Sequence, residues 1–350
     1  MIKRSNQANN LILLFLLITI SILSFYIGNR EVVNYTDFQA YNLWYERVLI
    51  SNDFEGRLEP VFQYLGVLSS LLGLSPGTFF SLLYLLFNIM FYSVCVETSD
   101  FFNESNQRVD YNFKYIFFYV SFIVSLILPF YLNATENIIR AGLCFPFILK
   151  SLLKFEKKKQ GLFVFYALLA IGLHYSSIIF LSFYIMFKLV SDKWLNYSLI
   201  FSIFLYAFSS TKSFLQMLGL DIINEVIDRV DNFVSYASYD SGYRLDFLFF
   251  TLSGLLFYRF SIVIFKLNFN KEIENIYKIF TLPFLIVGFG SFSDRYLVNA
   301  WLLYPLLVSL PLSAYICIYP NKKLSDYLVY ILPILVFLLL IHGFVRIGAI

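Results

Sequence analysis

The sequence predicts an all-α, polytopic integral membrane protein with about 11 transmembrane helices and one short re-entrant or interfacial helix. Three observations carry that expectation. The composition is 59% hydrophobic and 21% aromatic against 14% charged, with a mean hydropathy of +0.72, a balance that a soluble domain of 350 residues does not sustain. Apolar runs recur near the roughly 17 to 25 residues that a helix needs to cross a bilayer. Lysines gather on one side of the resulting layout, as topogenic charges do.

In chain order the apolar runs fall at 10–28, 76–96, 114–133, 136–153, 194–211, 247–265, 277–292, 297–318 and 327–345. The first follows Lys3 and Arg4, is too long for a signal peptide and has no small-x-small cleavage site, so it reads as a retained helix. Residues 60–73, "PVFQYLGVLSSLLG", are too short to span and follow a polar loop, which makes them the re-entrant or interfacial helix. The stretch 161–190 is too long for one straight span. It reads as two short helices meeting near His174 to Ser177, where polar side chains satisfy freed backbone groups. No internal repeat and no Pro/Gly/Ser-rich linker divides the chain, so residues 1–350 form a single membrane domain in this reading. Cys95, Cys144 and Cys317 lie in or beside apolar runs, without the pair spacings of zinc or redox motifs, and no metal or cofactor is assigned.

Orientation follows from Lys3/Arg4, "KFEKKK" at 154–159, Lys188/Lys193, Lys266/Lys271/Lys278 and Lys322/Lys323, all on one face, which is therefore cytoplasmic together with the N-terminus. The opposite face receives the long extracytoplasmic loops 29–59 and 211–246, each with three basic and six acidic residues. In this layout the cytoplasmic side holds 14 Lys and 3 Arg, and the outer side 8 Arg with Lys212 alone. Arginine offers a planar donor fork that matches phosphate or carboxylate oxygens, so the outer face is a candidate for anion recognition, although Arg also snorkels and pairs with acidic loops.

Arg140, in "NATENIIRAGL", and Arg295, in "SFSDRYLVN", sit where outer turns enter spans, and ionisable groups at membrane depth are functional candidates by default. The plainer role of Arg140 is an i, i+4 pair with Glu136. His174, in "ALLAIGLHYSSIIF", faces the same side. It is suited to general acid–base work or to donating to an anion, and equally to capping a helix break. His342 has no such setting. In the first outer loop Asp37 and Glu59 are further candidate acids or bases. Glu59 precedes Pro60, where a carboxylate either caps backbone amides or projects into a site. Tyr41 and Trp44 from that loop, with Arg244, Asp294 and Tyr296, are candidate substrate contacts; the aromatics fit sugar stacking or an interfacial belt.

No GxxxxGK[ST], HExxH or GxSxG occurs, so nucleotide hydrolysis, zinc proteolysis and serine hydrolysis have no support, and no nucleic-acid partner is expected. The ordered set "YTDFQAY", "EPVFQYL", "ENIIRAGL", "GLHYSSIIF" and "DRYLVN" resembles the EpsG-like branch of the Wzy-type bacterial polysaccharide polymerases over about residues 10–318, with Ala141 where that family often shows Gln after its Arg. The resemblance implies joining of undecaprenyl-pyrophosphate-linked oligosaccharide repeat units into O-antigen, capsule or exopolysaccharide at the outer face of the bacterial inner membrane. It also implies a chain-length regulator protein as a partner, beside membrane lipids. Arg140 and Arg295 would then steady the pyrophosphate, and His174, Asp37 or Glu59 would deprotonate the acceptor hydroxyl. A membrane glycosyltransferase using a lipid-phosphate sugar donor remains an alternative, and a lipid-linked glycan transporter a third, weakened by the lack of a repeat.

Overall fold

The computed structural model describes residues 2–32, 37–51, 58–105, 113–128, 131, 138–219, 221, 225, 228, 242–268, 270–290 and 293–318. Their regular structure is helical throughout. The helices are α1 (Ile2–Gly28), α2 (Asp37–Ser51), α3 (Pro60–Leu71), α4 (Pro76–Ser105), α5 (Phe113–Ile127), α6 (Ile139–Glu156), α7 (Gln160–Leu173), α8 (Ser177–Val190), α9 (Asp192–Ala207), α10 (Thr211–Met217), α11 (Leu245–Ile264), α12 (Lys271–Val287) and α13 (Val298–Ile318), with a 3-10 turn at Ser293–Tyr296. The expected break at His174 is present: α7 ends at Leu173, His174 is extended, and α8 begins at Ser177. The expected span at 327–345, and Glu136 and His342, lie outside the described residues.

Two elements differ from expectation. The first outer loop contains a helix, α2, whose apolar residues Phe38, Tyr41, Trp44, Tyr45 and Val48 recur at helical spacing and are all buried. The run expected at 194–211 is α9, which bends by 112° into α10. By length and composition, three described helices can cross a membrane, Pro76–Glu104, Leu245–Ile264 and Val298–Ile318, or four if the bent pair is one span. The physical reason is length: α7 and α8 have 14 residues each, about 21 Å at 1.5 Å per residue against a hydrocarbon core of about 30 Å.

The chain divides into two compact units, Met1–Tyr175 with Ser309–Ile350, and Ser176–Val308. In the first unit, α4 packs against α1, α5 and α6, and α6 pairs with α7 across a turn in which Lys158 takes a positive φ. One end of this bundle is a lysine end. Lys150 and Lys154 both reach Glu97, at 3.2 and 2.9 Å, and Lys157 reaches Glu104 at 2.9 Å. Lys150 is buried and also donates to Ser93 Oγ at 2.8 Å, so its ammonium is satisfied where an isolated charge would be costly. Arg140 lies 14 residues before Lys154 on α6, about 21 Å away along the axis, which makes the start of α6 the opposite end.

At that opposite end α2 and α3 lie over α4 on an aromatic cluster. Tyr45 stacks on Phe79 at 4.2 Å, and Trp44 packs on Phe62 at 5.2 Å. Tyr45 donates its hydroxyl to the Leu74 carbonyl at 3.0 Å. Such ring pairs contribute about 0.5–1.5 kcal/mol each beyond area burial. Two glycines set the closeness of α3: a Cβ on Gly66 would lie 2.4 Å from the Trp44 ring, and one on Gly172 of α7 would lie 2.4 Å from Val61 Cγ2.

The second unit is centred on α12, which packs against α8, α9, α10, α11 and the 3-10 turn. Tyr277 donates to the Thr251 carbonyl at 2.8 Å, and Trp301 Nε1 donates to Thr251 Oγ1 at 3.0 Å. At the N-terminal end of α12, fully buried Glu274 is paired with Lys278 and with Arg259 at 2.6 Å. Lys278 also donates to Asn196 at 2.7 Å, so this lysine is part of the packed interior rather than a loop charge.

Candidate active site

The site of the first unit is assembled from four helix ends. Glu59 immediately precedes α3, with Pro60 in the first turn, and its side chain makes no capping bond to the helix. Gln63, one turn on, donates its side-chain amide to the Leu58 carbonyl and its backbone amide to the Glu59 carbonyl at 3.0 Å, which fixes the turn that aims Glu59. The carboxylate projects instead onto the start of α6 and the end of α7. Its Oε2 accepts from Arg140 Nη1, its Oε1 is 2.8 Å from His174 Nδ1, and the Tyr175 amide donates to Oε1 at 3.3 Å. Arg140 Nε donates to the Tyr41 hydroxyl at 2.9 Å, which ties α2 into the same constellation.

Exposure sorts these groups by depth. The Glu59 side chain is 4% exposed, while those of Arg140 and His174 are 24% and 27% exposed. A buried carboxylate therefore forms the floor, and two cation-capable side chains form a rim. Burial by itself would raise the Glu59 carboxyl, but the His174 hydrogen bond and the Arg140 charge outweigh it and hold it down at about 2.

An ionised carboxylate only accepts, so His174 Nδ1 must carry the proton it shares with Glu59. In the neutral ring Nε2 is then a lone pair, with no partner among the described residues. This is the arrangement in which a carboxylate fixes the tautomer of a histidine base and stabilises its imidazolium form. Arg140 is held through Nε and Nη1, and its Nη2 has no partner among the described residues.

The structure thus brings together His174, Arg140, Glu59 and Tyr41 out of the residues singled out in the sequence. Asp37 opens α2, one turn before Tyr41, and is half-buried. Trp44 is 5% exposed, with its ring covered by Phe62, Phe79 and Tyr45, so it packs α2 onto α3 and α4 rather than presenting a face to sugar. Tyr41 is likewise buried, and its hydroxyl serves Arg140. The Glu136 partner considered for Arg140 lies outside the described residues; the described partner is Glu59. Gln63 and the Tyr175 amide were not foreseen, although Gln four residues after Glu59 in "EPVFQ" is a helix-spaced signal.

Arg295, Asp294 and Tyr296 occupy the 3-10 turn of the second unit, with Arg295 exposed. Burial raises the Asp294 carboxyl against the pull of Arg295. Arg244 makes a two-point contact with Asp246, at 2.9 and 2.6 Å, and lies over the Phe247 ring at 3.8 Å. These four residues all lie in the second unit.

Apolar helices long enough to cross a membrane, together with a carboxylate shared by a histidine and an arginine at the helix ends of the first unit, define a multi-pass membrane protein with a polar site. Residues 13–349 match the model of the EpsG family, and the chain belongs to that family. No curated protein and no solved structure matches it.

Proposed function

We propose that this protein is a polysaccharide polymerase that joins lipid-pyrophosphate-linked oligosaccharide repeat units at the outer face of the cytoplasmic membrane. The observation that carries the reading is the Glu59 carboxylate, buried and shared between His174 and Arg140. Membership of the EpsG family supports the same class of reaction. His174 Nε2 removes the proton from a sugar hydroxyl of the incoming unit. The hydroxyl oxygen attacks the anomeric carbon of the growing glycan, and the bond from that carbon to the pyrophosphate oxygen breaks, so the lipid leaves as its pyrophosphate. Negative charge grows on that leaving group, where the Arg140 Nη2 donors can meet it, while Glu59 stabilises the imidazolium formed at His174.

The accompanying topology is a single membrane domain of about 11 spans, N-terminus inside, with the Glu59 site outside and the Lys150–Lys157 end at the cytoplasm. Undecaprenyl pyrophosphate is the proposed carrier, and Arg295 and Arg244 belong to the glycan- and phosphate-facing surface of the second unit. A strain lacking the protein tests the function. Surface glycan collapsing from a ladder to a single repeat unit is the expected result. Loss of all surface glycan, with an incomplete lipid-linked unit inside, instead indicates an earlier transferase.

A further inference from the structure

The Glu59 constellation offers an anion no net positive charge. Glu59 is ionised, so the Glu59–Arg140 pair sums to neutral, and His174 adds charge only once it takes a proton. A pyrophosphate diester is charged on both phosphates before the reaction and gains more charge as it leaves, a gain that the proton taken up by His174 only balances. A further cation is therefore needed at this end of the first unit. Among the described residues there, the cations besides Arg140 are Arg30 and Arg47. Arg47 is excluded by position: it lies nine residues beyond Phe38 on α2, about half a turn round the helix, and its side chain is exposed and donates to the Leu43 carbonyl at 3.3 Å.

Arg30 lies on the face of α2 that Arg140 uses. Its guanidinium stands 3.6 Å over the Phe38 ring, and that of Arg140 stands 5.4 Å from the Tyr41 ring. Phe38 and Tyr41 are three residues apart on α2, so their side chains are neighbours on one helix face, about 5–6 Å apart at Cβ. Arg30 also lines the same narrow crevice between α1, α4 and α6 as Ile139, the residue before Arg140. The crossing of α1 and α4 sets its place: a Cβ on Gly28 would run into Ser81 and one on Gly77 into Asn29, and Asn29 donates its side-chain amide to the Phe25 carbonyl at 2.8 Å. Arg30 Nη1 caps α1 by donating to the Ile27 carbonyl at 2.8 Å, but a cap uses one donor and a guanidinium carries several. Asp37, at the same end, opens α2, where the helix dipole favours a negative charge. We infer that Arg30 is a second ligand of the lipid pyrophosphate, meeting one phosphate while Arg140 meets the other. The identity of the lipid rests on the polymerase reading. The chemistry recognised is a diphosphate, because two donor forks on adjacent turns of one helix face match oxygens on two phosphorus atoms, and a monophosphate engages only one of them.

The test treats the full-length protein in detergent with an arginine-selective dicarbonyl reagent and reads modification at each arginine by mass spectrometry. Farnesyl pyrophosphate is expected to slow modification of Arg30 and Arg140 over one concentration range, with Arg47 unchanged. Farnesyl monophosphate, which has the same hydrocarbon and one phosphate fewer, is expected to protect Arg30 only at about tenfold higher concentration. An Arg30 that reacts equally with and without farnesyl pyrophosphate, or equal protection by the two compounds, overturns the inference. A substitution gives an independent reading. Arg30→Gln keeps a donor for the Ile27 carbonyl and removes the charge, so it is expected to weaken inhibition of polymerisation by farnesyl pyrophosphate about tenfold, to leave inhibition by the monophosphate unchanged, and to keep the wild-type thermal unfolding. Arg30→Lys should recover part of the loss, because it restores the charge without the fork. Wild-type inhibition by farnesyl pyrophosphate in Arg30→Gln overturns the inference. Protection of Arg30 in a protein that builds no polymer overturns the polymerase reading alone, and a wild-type glycan ladder without protection of Arg30 overturns this inference alone.

Discussion

At the scale of single residues, the proposed chemistry turns on Glu59, which among the described residues touches both rim side chains. A carboxamide in its place presents a donor as well as an acceptor. Glu59→Gln therefore permits the other His174 tautomer and leaves Arg140 without its charge partner. The expected consequence is a polymerisation rate lower by about 100- to 10,000-fold with protein abundance retained, measured by chain assembly in membrane preparations. Near-wild-type rates would mean that the tautomer of His174 is immaterial. The same residue sets a pH dependence of stability. Its folded value of about 2 lies below its ordinary 4.5, so its contribution is fully present above pH 4.5 and is lost as pH falls toward 2. Thermal unfolding of the detergent-solubilised protein should show that acid loss in wild type and lack it in Glu59→Gln. Tyr41 acts one step further out. Tyr41→Phe removes one hydrogen bond to a charged group, and a loss of about tenfold in kcat is expected, with KM read separately to distinguish positioning from binding.

At the scale of elements, the site depends on how closely α3 approaches α7, and Gly172 permits that approach. Gly172→Ala drives a methyl into Val61 and should lower activity by separating Glu59 from His174. Val61→Ala in the same chain removes the obstructing methyls and should restore it. A double variant no better than the single one would show that the spacing is set elsewhere. The break at His174 was legible because a 30-residue apolar run exceeds one span and its polar residues cluster at the centre. Glu59 was legible as a carboxylate before a proline. Its partnership with both Arg140 and His174 was not, because those contacts join residues 81 and 115 positions away. The helix α2 was hidden by its charges, since Asp37, Glu46 and Arg47 made a polar loop of a segment whose buried positions follow the helical period. Trp44 misled for a related reason: aromatic residues suit a sugar platform and a packed core alike, and only burial separates the two.

At the scale of the whole molecule, the first unit has two ends of different chemistry, with lysines on glutamates at one and the Glu59 site at the other. If lysine marks the cytoplasm, a cysteine replacing Lys158 in the α6–α7 turn is shielded from an impermeant thiol reagent added outside, whereas one replacing Asn232 is labelled. The reverse pattern would invert the membrane orientation and with it the side on which the reaction occurs. The class of all-helical membrane protein was written in composition, while the number of spans was not, because short and charged helices such as α6, α7 and α12 fall below the length or apolarity that composition recognises.

The central claim, that the Glu59–His174 pair moves the proton in glycan chain growth, is tested most directly with purified protein in lipid vesicles supplied with lipid-pyrophosphate-linked repeat units. Wild type is expected to build a ladder of lengthening glycan and release lipid pyrophosphate. His174→Gln should bind the same lipid-linked unit yet extend it roughly 100- to 10,000-fold more slowly. A His174→Gln protein that produces ladders at the wild-type rate would contradict the claim.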